Sequence, residues 1–196
     1  MTRDIFWRSF EMQMAFYFDQ TRCTGCYACL IACKDWHDVE LGPVDYMDVV
    51  YIEKGKYPTP YVAYMTTTCF HCAHPACASA CPASAITKRV EDGIVVVDRE
   101  LCLGKDDCSQ PCKEACPFGM PRFGDEKNAK MQKCNFCLDR LVEGKDPICV
   151  AACLSRCLAA GPLDTLKAEY GDQREAVGFT YSEETKPSVI FKPKRK

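Results

Sequence analysis

The chain has 196 residues, 25 Lys+Arg against 27 Asp+Glu, and 17 cysteines. A net charge of −2 leaves no basic footprint for a nucleic-acid backbone, and no stretch approaches the ~18 apolar residues of a membrane-spanning helix, so neither nucleic-acid binding nor direct membrane insertion is expected. Cysteine at about 9% of the chain demands a chemical reason, and without it the apolar fraction is thin, so something other than aliphatic side chains is expected at the centre.

Along the chain, Ile5, Phe6, Trp7, Phe10, Met12 and Met14 form an apolar, aromatic N-terminal segment that suits an interface. Ala15–Asp19 reads as a short strand entering the first cysteine group, Cys23, Cys26, Cys29 and Cys33, with a short helix over Tyr27–Trp36 carrying Cys29 and Cys33 on one face. His37–Pro60 reads as a long loop, and Tyr61–Met65 as a strand leading into the second group, Cys69, Cys72, Cys77 and Cys81. Ile86–Arg89 and Ile94–Val97, joined at Glu91-Asp92-Gly93, predict a hairpin, because Asp-Gly between β-branched runs is a strong turn signal. Then come the third group, Cys102, Cys108, Cys112 and Cys116, a second long loop over Phe118–Lys133, and the fourth group, Cys134, Cys137, Cys149 and Cys153. Gly161-Pro162 opens a short helix over Leu163–Tyr170. From Gly171 the chain is polar and extended, so it either frays or docks; the apolar Val189-Ile190-Phe191 favours docking against a partner.

Disulfides or metal can explain this much cysteine. The count is odd, and Arg8, Glu11 and Gln13 interrupt the run a signal peptide needs, so metal in a reducing, cytoplasmic compartment is expected; a periplasmic location would require export on a partner's signal. The first group is C-x2-C-x2-C-x3-C, the bacterial ferredoxin run, in which three thiolates grip one [4Fe–4S] cluster and the fourth points away to serve another. The second is C-x2-C-x4-C-x3-C, the third C-x5-C-x3-C-x3-C, the fourth C-x2-C-x11-C-x3-C; the terminal x3 recurs in all four as an internal repeat. Zinc is the alternative metal, but four closely spaced cysteines do not resemble two knuckle pairs. Cys157 is left over and reads as a small buried hydrophobe. His71, between Cys69 and Cys72, either packs or hydrogen-bonds a cluster sulfur, packing being the expectation; His37 and His74 read as surface groups.

RCTGCYACLIACKDW (Arg22–Trp36), CFHCAHPACASACPASAITKR (Cys69–Arg89), EDGIVVVD (Glu91–Asp98) and KCNFCLDRLVEGKDPICVAAC (Lys133–Cys153) together resemble the iron–sulfur electron-transfer subunits of the dimethyl-sulfoxide-reductase family of molybdopterin or tungstopterin oxidoreductases. The resemblance covers roughly Ala15–Tyr170. It implies an α+β fold of two bacterial-ferredoxin-like modules with short strands and helices, long loops and extended termini: residues 1–66 plus 117–170 for groups one and four, 67–116 for groups two and three, and a tail over 171–196. It implies four [4Fe–4S] clusters. Their ligands would be Cys23, Cys26, Cys29 and Cys153; Cys134, Cys137, Cys149 and Cys33; Cys69, Cys72, Cys77 and Cys116; and Cys102, Cys108, Cys112 and Cys81. It implies a non-catalytic electron relay to or from a large pterin-bearing catalytic subunit, leaving open a further redox or membrane-anchor subunit. A free-standing polyferredoxin carrier is the alternative. Two departures stand out: Leu154 replaces the usual Pro, and the third group, CLGKDDCSQPCKEAC, has extra residues that are expected to bulge at Gly104, Asp106 and Asp107. Oxidised cubanes at about −2 each would bring the holo chain near −10, favouring basic partner surfaces.

Overall fold

A computed structural model describes residues 12–195. The elements are β1 (Met14–Asp19), α1 (Ala28–Trp36), β2 (Met47–Lys54), β3 (Tyr61–Thr68), α2 (Ala76–Ser79), β4 (Ile86–Lys88), β5 (Val95–Val97), α3 (Lys105–Cys108), α4 (Pro111–Ala115), α5 (Leu138–Val142), α6 (Ile148–Ala151), β6 (Leu158–Pro162), α7 (Leu163–Tyr170) and β7 (Val189–Lys192). This is a mixed arrangement of short strands and short helices, consistent with α+β. Among the described residues no helix is long and apolar enough to cross a membrane.

The central sheet has the order β6-β1-β7, with β1 antiparallel to β6 and parallel to β7. Every residue of β1 is buried, which accounts for the aromatic run Phe16-Tyr17-Phe18: one face stacks Phe16 on Phe136 at 4.4 Å, and the other stacks Tyr17 on Tyr170 of α7 at 3.8 Å. The Ile86–Val97 hairpin forms where Asp-Gly predicts it, pairing Ile86 with Val97. The stretch His37–Pro60 is not all loop: β2 pairs with β3 from Met47–Thr68 to Lys54–Tyr61. Only Met47 and Val49 of β2 are fully buried, and its polar positions Asp48, Glu53 and Lys54 hid it from a hydrophobic pattern. Two helix pairs carry the cysteines, α1 against α6 and α2 against α4.

The C-terminal segment corrects an expectation. Val189, Ile190 and Phe191 do not wait for a partner; they form β7 and are at most 1% exposed in the chain's own core. Phe179 sits between Phe70, Phe118 and Phe191 at 4.8–5.3 Å. Gln20, fully buried, fastens the segment: its amide donates to Tyr64 and Val177 carbonyls at 3.1 and 2.7 Å and accepts from the Val177 and Lys194 N–H groups. The reason lies at the sheet edge. β1 needs a partner on its second edge, and this apolar run supplies it. The N-terminal aromatic segment Ile5, Phe6, Trp7 and Phe10 lies outside the described residues; Met12 and Met14 pack on the main core.

Candidate iron–sulfur centres

The first loop turns at Gly25, where φ is +67° and a Cβ would overlap the Tyr64 ring; only glycine lets Cys23 and Cys26 face the same space. Cys23, Cys26, Cys29 and Cys153 line one cavity, together with Thr66 and Cys157. Cys81, Cys102, Cys108 and Cys112 line another. The extra residues of the third group fold as the single turn α3, begun at Gly104 (φ +95°), and Asn128 ties it down: its Oδ1 accepts from the Asp106 N–H at 3.1 Å and its Nδ2 donates to Leu103 O at 2.9 Å and Asp107 Oδ2 at 2.8 Å. Asn128 lies in the expected second loop and carries no motif; sequence reading had no signal for it.

The remaining thiols also crowd one another. Burial pushes the Cys33 thiol up, and the neighbouring Cys134 and Cys137 thiols add to the rise. Cys149 is driven up by the same burial beside Cys134, Cys33 and Cys137. Burial likewise raises Cys72 and Cys77 to about 12, with Cys69 and Cys116 nearby for both. Cys134 is raised to about 12 by burial and then by the neighbouring Cys69 thiol, and the two share one apolar cluster with Met120. Buried thiols crowded in this way cannot all ionise unless a cation sits among them.

Donors already point at several sulfurs. The Phe136 and Ala85 N–H groups reach Cys134 and Cys81 Sγ at 3.3 Å, and the Met131 N–H reaches Cys102 Sγ at 3.5 Å. His37, expected at the surface, is half-buried with Nε2 3.3 Å from Cys137 Sγ; burial lowers its pKa, so the neutral imidazole can donate there. His71 is fully buried between Phe16 and Phe136; its Nδ1 accepts the Val95 N–H at 3.0 Å, and its Nε2 has no partner among the described residues. His74 is exposed. Thr185, in the C-terminal segment, is buried with its hydroxyl unpartnered beside the Cys72 thiol.

Cys157 is buried as expected but is more than apolar filling. Its Sγ lies 3.4 Å from Cys153 Sγ and its N–H reaches that sulfur at 3.3 Å. Its thiol also lowers Cys23 by hydrogen bonding. Burial works to raise Cys153, and hydrogen bonds from the Cys157 N–H and thiol, the Leu158 N–H and the Ser155 hydroxyl together outweigh it.

The donor set fits a cubane better than a lone ion. At least four cysteines line each of the two cavities, with no His, Asp or Glu among the lining residues, a donor set that suits a four-thiolate cluster. Thiol-lined cavities, backbone N–H groups aimed at sulfur and a fold of short elements wrapped around them define an iron–sulfur protein of ferredoxin type. Comparison narrows the class. The family model of the 4Fe-4S dicluster domain matches residues 60–163. An anaerobic dimethyl sulfoxide reductase chain of Escherichia coli (strain K12) is 38% identical over 92% of this chain and 89% of that one. A sulfite dehydrogenase subunit of Allochromatium vinosum is 31% identical over 94% and 84%, and the formate dehydrogenase iron-sulfur subunit of Wolinella succinogenes 31% over 88% and 96%. The chain belongs to the iron–sulfur electron-transfer subunits of the molybdopterin oxidoreductases. These relatives are subunits of oxidoreductase complexes, which favours that reading over a free-standing carrier.

Proposed function

We propose that the chain holds four [4Fe–4S] clusters in a row and relays single electrons between a large molybdopterin or tungstopterin catalytic subunit and a second redox partner, itself making and breaking no substrate bond. The ligands are Cys23, Cys26, Cys29 and Cys153 for the first; Cys134, Cys137, Cys149 and Cys33 for the second; Cys69, Cys72, Cys77 and Cys116 for the third; and Cys102, Cys108, Cys112 and Cys81 for the fourth. The observation that carries this reading is a pair of cavities, one lined by Cys23, Cys26, Cys29 and Cys153 and the other by Cys81, Cys102, Cys108 and Cys112, each drawing on two sequence groups; the thiols crowded around Cys33, Cys149, Cys72 and Cys77 support the other two sets. Each cluster, when bound, takes up and releases one electron. Shared elements support the order: α1 carries Cys29 and Cys33, Cys134 shares an apolar cluster with Cys69, and α2 and α4, which carry Cys77 and Cys112, pack on each other. The pairing of α1 with α6 and of α2 with α4 supports two ferredoxin-like modules, residues 1–66 plus 117–170 and 67–116. The protein's part is to hold the thiolates, exclude water and aim N–H, imidazole and hydroxyl donors at sulfur, which sets each potential. We place the subunit in the cytoplasm unless a partner's signal exports the folded pair.

Anaerobically prepared protein should be brown, bleach with dithionite and contain about 16 irons and 16 sulfides per chain. About 12 would leave one set empty, and a featureless visible spectrum would end the reading. Cys33→Ser should damage the cluster of Cys134, Cys137 and Cys149; loss confined to the cluster of Cys23, Cys26 and Cys29 would overturn the crosswise sets.

A further inference from the structure

Lys133 is 3% exposed, which is rare for a lysine without a carboxylate partner. Its ammonium donates to two carbonyl oxygens, Val95 O and, at 2.8 Å, Cys134 O. No Asp or Glu of the described residues comes within ion-pair reach of it; the ion pairs of the chain lie elsewhere and mostly near the surface. Carbonyl dipoles solvate an ammonium but do not neutralise it, and an uncompensated buried charge is strongly destabilising. The compensating negative charge must therefore come from something other than side-chain carboxylates.

Its location says what supplies that charge. Lys133 precedes Cys134 of the second set. The Val95 carbonyl it binds belongs to the residue whose N–H caps His71, between Cys69 and Cys72 of the third set. Cys69 and Cys134 share one apolar cluster.

We infer that Lys133 is the buried counter-cation shared by the second and third clusters, and that it holds their reduction potentials up at the junction between the two modules. The inference rests on the ligand sets proposed above. An oxidised four-thiolate cubane carries about −2 and gains one more negative charge on reduction; a fixed cation nearby favours the reduced form of both. Without it, the middle of the relay would become two adjacent steps of lower potential. The side chain is a positioning and tuning group: it ligates no iron.

The test is an EPR-monitored redox titration of the complex with its catalytic subunit, wild type against Lys133→Met and Lys133→Arg, each cluster assigned by Cys→Ser variants in its set. Lys133→Met should lower the reduction equilibrium constant of the second and third clusters at least tenfold, or 59 mV for one electron, and leave the first and fourth in place; Lys133→Arg should stay near wild type. Four unshifted potentials in Lys133→Met overturn the inference. If Lys133→Met does not load fully, selective loss of the second and third signals supports the inference, and equal loss of all four overturns it. A wild-type count well below 16 irons defeats the ligand sets; a full count with unshifted potentials defeats only the role of Lys133.

Discussion

Cys157 shows how one side chain changes meaning between sequence and structure. In the sequence it is the seventeenth cysteine, outside every repeat, and burial is all that can be expected of it. In the fold its sulfur is 3.4 Å from Cys153 Sγ and lowers Cys23. A thiol donating to a cluster thiolate stabilises the added negative charge of the reduced form, as a net hydrogen bond of about 1 kcal/mol, or on the order of 40 mV. Cys157→Ala should keep the full iron count and visible colour while the first cluster's midpoint falls by about that amount in a potentiometric titration; an unchanged midpoint would return Cys157 to the role of filler. Gly25, which no sequence expectation singled out, is fixed by backbone geometry. Gly25→Ala places a Cβ at φ +67° and into the Tyr64 ring, with a backbone cost of about 1–2 kcal/mol before the clash. Iron analysis should show the first cluster lost or labile in this variant and the other three retained.

Among the elements, β7, like β2, is one that pattern alone misjudged. Val189-Ile190-Phe191 is apolar, and the segment around it polar, so the residues say that something covers the strand and not what. The answer is β1, whose free edge takes it in parallel register. The same segment brings Thr185 beside Cys72 and braces the second cysteine loop: the Ala73 N–H donates to Lys186 O at 2.9 Å, and the Ser188 N–H donates to Phe70 O at 3.0 Å. Phe191 is 1% exposed, and Phe191→Ala should cost about 3–5 kcal/mol. Thermal unfolding of the loaded chain should show that loss directly, and the third cluster should become the first to bleach in air, since its loop loses its brace. α3 makes a matching point. The stretched third group stays ordered because Asn128 binds Leu103, Asp106 and Asp107 across the turn, and Asn128→Ala should loosen the fourth cluster while leaving the other three.

For the whole molecule, charge gives a testable expectation about association. The bare chain carries −2, and four bound cubanes would take it to about −10. A basic surface on the partner would then speed encounter, and the association rate of the holo chain with its catalytic subunit should fall steeply as ionic strength rises through the range where the screening length drops below about 10 Å. Stopped-flow association at two salt concentrations checks it; a salt-independent rate would show that the interface is apolar instead. Such an interface has candidates at the surface, since Leu154 and Ile31 near the first set are 79% and 61% exposed.

Chemistry and class were legible in the residues alone. Cysteine spacing, with a recurring terminal x3, is a local property: thiolates on one loop must be a fixed few residues apart to meet one cluster, so the spacing survives any change in packing. The Asp-Gly hairpin and the Pro162 helix start are local too, and both fall where the sequence puts them. Relations between distant residues had to await the folded chain. The β2 strand, the docking of β7, the Asn128 tether, the His37 contact with Cys137 and the burial of Lys133 each depend on positions far apart in the chain. Lys133 is the clearest of these: nothing in the sequence beside Cys134 marks it, and the meeting of β5 with the fourth cysteine loop removes it from water.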